Sequence, residues 1–138
     1  MKKLFKQMWI AMLSAMLIAT PAMAELDTDK DIDLESTWDG PVLTRSAGVV
    51  MGPSGKETYY NLDMSGVVQI MRNMGNTDEY WVREDGCKML GDYIMCAANL
   101  DVHPRGTLVE SSLGTCIVCD TGGFAAANPN QLDIAVNW

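Results

Sequence analysis

The heptapeptide Gly114-Thr115-Cys116-Ile117-Val118-Cys119-Asp120 (GTCIVCD) decides the fold reading, together with the Thr121-Gly122-Gly123 that ends it. An uncharged, apolar and β-branched run enters an aspartate and two glycines. Such a run, too short for a helix and closed by turn residues, predicts a buried strand that stops at Asp120. Cys116 and Cys119 form a C-x-x-C, but residues three apart on a strand point to opposite faces. The other cysteines, Cys87 and Cys96, form no second C-x-x-C, and His103 is the single histidine. No metal site and no cofactor are expected. The cysteines are read as structural disulfides or buried thiols, and four cysteines allow three pairings that spacing alone does not decide.

Outward from this strand the texture repeats. Segments 41–52 and 56–64 read as strands around the Gly52-Pro53-Ser54-Gly55 turn, and 88–100, 106–111 and 132–138 as further strands. Segment 65–75 is the exception. Val67, Ile70, Met71 and Met74 recur at helical spacing, and Gly75-Asn76 marks the stop. Met64, Met71, Met74, Met89 and Met95 are read as core filler. The expectation is an all-β domain with a short helical insert, of the size of a small closed barrel.

The two ends set the compartment. MKKLFKQ, the apolar MWIAMLSAMLIA and TPAMA have the layout of a secretory signal peptide, residues 1–24, with cleavage after Ala24. The apolar run falls short of the roughly 18 residues of a membrane span. Residues 25–40 hold seven acids and one lysine, an acidic extended leader rather than core. Asp27, Asp29, Asp31 and Asp33 do not make an EF-hand loop, because Ile32 and Trp38 stand where glycine and glutamate are required. That leaves residues 41–138 as one domain. Loss of Lys2, Lys3 and Lys6 leaves 7 of 10 basic residues against 18 acidic ones, a net charge of −11. Such a chain repels phosphate backbones and anionic membrane surfaces. The expected product is secreted or extracytoplasmic, monomeric, and neither bound to nucleic acid nor inserted in a membrane.

Asp120-Thr121-Gly122 also matches the loop of aspartic proteases, which pair two such loops so that two carboxylates share a proton. One copy per chain requires a dimer, and the residues after Gly122 are too few for the strands that follow the loop in a protease lobe. A second reading treats Asp120 as one of a set. Asp101, Asp120 and Asp133 each follow an apolar strand-like run, and strand ends in a small barrel converge on one rim. Gathered acids raise one another's pKa, which yields a protonated carboxyl suited to general-acid work. Thr121, Gly122 and Gly123 offer a small, open neighbour for an extended substrate, and Tyr59 and Tyr60 offer rings to stack on sugars. The plain alternatives are a turn cap for Asp120 and an outward strand residue for Asp133.

The ordered elements NLDVHPRGTLVE, TCIVCDTGGF and LDIAVNW resemble the 3D domain, named for its three aspartates. This domain is found in stationary-phase survival muralytic enzymes and in the catalytic core of membrane-bound lytic transglycosylase A. The resemblance covers residues 88–138 and, more loosely, the chain from about Gly55. It implies a small six-stranded double-psi β-barrel that cuts the glycan strands of peptidoglycan. By the same resemblance Asp133 is the catalytic acid/base, Asp120 the Asp-Thr-Gly carboxylate beside it, and Asp101 the first of the three. The Asp101–Gly106 segment is shorter than the family's usual form. The implied reaction cuts the bond between N-acetylmuramic acid and N-acetylglucosamine, with closure of a 1,6-anhydro ring or, alternatively, hydrolysis. A function of another class, a non-catalytic wall-binding or wall-loosening module, stands as the alternative.

Overall fold

The computed structural model describes residues 37–138. The expected signal peptide and the leader as far as residue 36 lie outside the described residues. Eight strands and one helix follow in order: β1 Val50–Gly52, β2 Gly55–Tyr60, α1 Ser65–Asn73, β3 Tyr80–Val82, β4 Lys88–Leu90, β5 Tyr93–Ala97, β6 Leu108–Ser111, β7 Gly114–Asp120 and β8 Leu132–Ala135. This is the expected all-β class with its helical insert.

Three tight hairpins build the local part of the sheet. β1 and β2 join through Pro53-Ser54, β4 and β5 through Gly91-Asp92, and β6 and β7 through Ser112-Leu113. Gly91 has φ +60° at the first central position, where a type II′ turn calls for glycine. The long-range part is made by two parallel pairs, β2 with β8 and β5 with β7. The sheet path runs β1-β2-β8-β5-β4-β3, with β7 joined to β5 and β6 to β7. β5 is the hub. One edge pairs with β7; the other is shared end to end by β4, opposite Tyr93 and Ile94, and by β8, opposite Cys96 and Ala97. A bridge between Cys87 and Val136 links the two strands on that shared edge.

Strand alternation sorts the side chains into two cores. Ile94, Cys96, Cys116, Val118, Leu132, Ile134 and Val136 pack on one face. Met95, Ile117, Cys119 and Ala135 occupy the other, beneath Met64, Val67 and Met71 from α1 and its entry. Cys116 and Cys119 thus lie on opposite faces, as strand spacing requires. All four cysteines are buried thiols. Burial pushes Cys87 and Cys119 up to about 12, so both stay protonated and unreactive near neutral pH.

The helix is rotated from its expected face. Val67 and Met71 are buried, but Ile70 is 39% exposed and Met74 57% exposed, with Met64 taking the inward place. Met74 is therefore not core filler. It sits at the C-cap, where the chain turns away. Gly75 N–H donates to Arg72 O and Asn76 N–H to Met71 O, both at 3.0 Å, which is the Schellman pattern. Gly75 has φ +96°, with open space around it. Gly75→Ala is expected to lower stability by about 1 kcal/mol through backbone strain alone, measurable as a urea-midpoint shift. An unchanged midpoint would contradict the assignment.

A buried carboxylate ties the domain's N-terminal segment to the sheet. Glu57, 1% exposed, accepts from the Ser112 amide at 3.0 Å and the Ser112 hydroxyl at 3.1 Å. Ser112 Oγ in turn accepts from Leu43 N–H at 3.0 Å. Burial raises the Glu57 pKa, and the Ser112 hydrogen bonds pull the other way.

Candidate active site

Four strands bring four residues into one lateral row: Thr58 of β2 opposes Asp133 of β8, Asp133 opposes Ala97 of β5, and Ala97 opposes Asp120 of β7. Neighbouring strands lie roughly 5 Å apart, so two acidic positions flank one alanine across two strand spacings. Ala97, itself buried, lies between them.

Asp120 reaches this row through an irregularity. The pairing of β5 with β7 steps from Cys96 opposite Val118 to Ala97 opposite Asp120, so Cys119 is an extra residue. Strict alternation from Ile117 and Cys119 would aim Asp120 at the opposite core. The bulge turns it instead onto the face that carries Asp133, a use of bulges that recurs beside functional sites.

The two carboxylates have different surroundings. Asp120 is a pure acceptor: Tyr60 O–H donates to Oδ2 at 3.0 Å, and Thr121 N–H donates to Oδ1 at 2.9 Å. Tyr60 serves as a donor throughout the working range, since burial first, then the Asp120 charge and hydrogen bond, push its own pKa upward. Asp133 is half-buried at the end of a directed chain. Gln131 Nε2 donates to Thr58 Oγ1 at 2.8 Å, which leaves the Thr58 hydrogen to be donated to Asp133 Oδ1 at 2.8 Å. With Oδ1 occupied as an acceptor, a proton on Asp133 resides on Oδ2. Burial raises the Asp133 pKa, the Thr58 hydrogen bond opposes this, and the Asp120 charge adds to the rise.

That shift has a consequence for stability. The folded chain holds the Asp133 proton more tightly than the unfolded chain does. Stability from this group is therefore lost as pH rises from the ordinary carboxylate range through the raised folded value. Asp133→Asn is expected to be more stable than the wild type at neutral pH, with the advantage shrinking in acid. Parallel thermal melts across pH 3 to 8 check this; a constant difference would contradict it.

The remaining expected site residues separate. Thr121, Gly122 and Gly123 follow Asp120 and are exposed, and a Cβ on Gly123 would meet nothing within 4 Å. Tyr60 joins the site through Asp120. Tyr59, its neighbour on the strand, points to the opposite face. There its ring lies 4.5 Å from that of Trp138, and its hydroxyl donates to Arg45 O at 3.3 Å. Asp101 is exposed in a turn after β5, where its amide and that of Val102 donate to Asn99 Oδ1. The hydrogen bonds that organise Asp120 and Asp133 do not extend to it. The Asp101 loop is nonetheless tied to the end of β7, since Arg105 Nε donates to Cys119 O at 3.0 Å and Gly106 N–H to Val118 O at 2.8 Å.

Thr58 and Gln131 are site residues that motif reading passes over. Thr58 shares a strand face with Tyr60, and that alternation is a signal present in the chain itself. Among the described residues no group of three His, Cys, Asp or Glu side chains is placed to hold a metal ion. What the arrangement offers is acid–base chemistry: one carboxyl biased toward its protonated form, beside a second one held as an acceptor. Compared with known proteins, the chain matches no family model, no curated protein and no solved structure.

Proposed function

We propose that this chain is a secreted peptidoglycan-cleaving enzyme of the lytic transglycosylase kind, built as a small double-psi β-barrel of the three-aspartate family. The observation that carries this reading is the row of Thr58, Asp133, Ala97 and Asp120, in which two carboxyls in unlike surroundings flank one buried alanine. The enzyme is exported with residues 1–24 removed, acts as a monomer on glycan strands, and needs no cofactor.

In this mechanism the Asp133 Oδ2 proton passes to the oxygen linking N-acetylmuramic acid to N-acetylglucosamine, and the bond from that oxygen to the muramic C1 breaks. Positive charge builds on the muramic ring, where the Asp120 carboxylate stabilises it. The ionised Asp133 then takes the proton of the muramic 6-hydroxyl as that oxygen bonds to C1. A 1,6-anhydro ring closes and Asp133 returns to its protonated form. One carboxyl thus serves as acid and then base, in keeping with a pKa moved toward the working range. Asp101, exposed and outside the hydrogen bonds that hold Asp120 and Asp133, is assigned to the loop bordering the site.

The test separates an enzyme from a binder. Purified, dye-labelled wall is incubated with the protein, and dye is measured in the pellet and the supernatant. Time-dependent release of soluble dye is expected. Protein that sediments with the wall and releases nothing would overturn the enzymatic reading in favour of a wall-binding module.

A further inference from the structure

The Asp101 loop ends in a tight turn beside the last residues of β7. Thr107 N–H donates to Pro104 O at 3.0 Å, and Gly106 between them has φ +92°, the glycine position of a type II turn. Two backbone bonds seat the turn on β7: Gly106 N–H donates to Val118 O at 2.8 Å, and Val118 N–H to Thr107 O at 2.9 Å. Arg105, second in the turn, is half-buried and reaches one residue further, its Nε donating to Cys119 O at 3.0 Å.

Cys119 is the bulged residue. The pairing of β5 with β7 steps over it, from Val118 opposite Cys96 to Asp120 opposite Ala97. Val118 is held by the turn, and Asp120 by Ala98 N–H, which donates to Asp120 O at 3.0 Å. The residue between them has left the strand register, and a strand freed from its register can slip back to regular alternation. Regular alternation would return Asp120 to the opposite core. Cys119 is fully buried, so its carbonyl calls for a protein donor. The planar guanidinium of Arg105 supplies one at a defined angle.

We propose that Arg105 is a positioning residue for Asp120: its bond to Cys119 O holds the bulge that turns the Asp120 carboxylate onto the face of Asp133. Arg105 acts through the backbone of β7, apart from the side-chain bonds that Tyr60 and Thr58 make to the two carboxyls. The geometry stands on those bonds; its meaning for catalysis rests on the glycan-cleaving reading. Without the Arg105 bond Asp120 is less firmly placed beside Asp133, and the negative charge it contributes there recedes.

The test compares two neutral variants. Glutamine Nε2 and methionine Cε both stand where arginine Nε stands along the side chain, so Arg105→Gln keeps an N–H donor there and Arg105→Met does not. The readout is the carboxyl ¹³C titration of Asp133, because burial raises the Asp133 pKa and the Asp120 charge adds to the rise. The Asp133 midpoint is expected to lie lower in Arg105→Met than in Arg105→Gln. With Asp120→Asn added to each, the two should titrate alike, since the effect passes through the Asp120 charge. On labelled wall Arg105→Met is expected to be about 10²-fold slower than Arg105→Gln, the scale of a small misplacement at a catalytic site. Equal midpoints in the single variants, or a difference that persists with Asp120→Asn, would overturn the role. So would an Arg105→Met chain that fails to fold, because the bond would then serve the fold as a whole. Wild-type protein that leaves wall uncut, with the midpoints separated as expected, keeps the positioning role and removes the reaction. Wall cut by the wild type, with equal midpoints, removes the positioning role alone.

Discussion

Asp133→Asn is expected to lower glycan cleavage about 10³-fold, the range that one general acid–base group supplies. The change removes the transferable proton and keeps the shape. Thr58 can still donate to the side-chain oxygen, and Gln131 can still orient Thr58, since neither bond requires a charge on residue 133. Binding of glycan should therefore survive, and circular dichroism and thermal melts should show a folded protein. Solubilisation of labelled wall by the variant, at matched concentration, gives the measurement. Residual activity within about ten-fold of wild type would take Asp133 out of the acid–base role.

Ile134→Ala carries the largest expected cost in stability, about 2–5 kcal/mol for removal of buried aliphatic volume. Ile134 is fully buried in the middle of β8, opposite Tyr59 of β2 on one side and Cys96 of β5 on the other. It therefore holds together a parallel pair and an antiparallel pair that no hairpin enforces. Asp133 is the preceding residue on the same strand, so a loosened β8 also blurs the spacing of the carboxylate row. Urea unfolding should show a lower midpoint at unchanged slope. A loss under about 1 kcal/mol would mean that the site collapses around the deletion or that β8 packs less tightly than described.

Much of the fold was legible because it is local. The runs that became β7 and β8 are short, apolar and bounded by glycine, asparagine or aspartate, and the turn read at 52–55 joins β1 to β2. Segment 88–100, read as one strand, instead folds as the β4–β5 hairpin around Gly91-Asp92. The errors have physical causes. Segment 41–49 reads as a strand but folds as a turn, with Thr44 Oγ1 accepting from Ala47 N–H and Thr44 O accepting from Gly48 N–H. β3 went unread because Tyr80, Trp81 and Val82 are all exposed on an edge strand with one neighbour, so no buried face betrays them. The helical spacing of Val67, Ile70, Met71 and Met74 fits two adjacent stripes, and the pull of Met64 into the core beneath α1 selects the one that exposes Ile70.

The candidate site was legible in its residue types and not in its partners. Asp120 and Asp133 stand out as acids after apolar runs. Their meeting depends on β5 lying between β7 and β8, and on a bulge at Cys119, neither of which leaves a local mark. Thr58 bonds a residue 75 positions away, and Gln131 one 73 positions away, so their roles appear only in the fold. Tyr59 and Tyr60 are adjacent in sequence, and period-two alternation already forbids both from facing one substrate. The fold assigns Tyr60 to Asp120 and Tyr59 to Trp138.

The most direct test of the central claim is mass spectrometry of purified peptidoglycan after incubation with the wild-type protein, with the Asp133→Asn variant alongside. The account predicts soluble fragments ending in 1,6-anhydro-muramic acid with the wild type and none above background with the variant. Fragments with free reducing ends would replace ring closure by water attack. Intact wall from folded wild-type protein, or equal fragments from both proteins, would contradict the account.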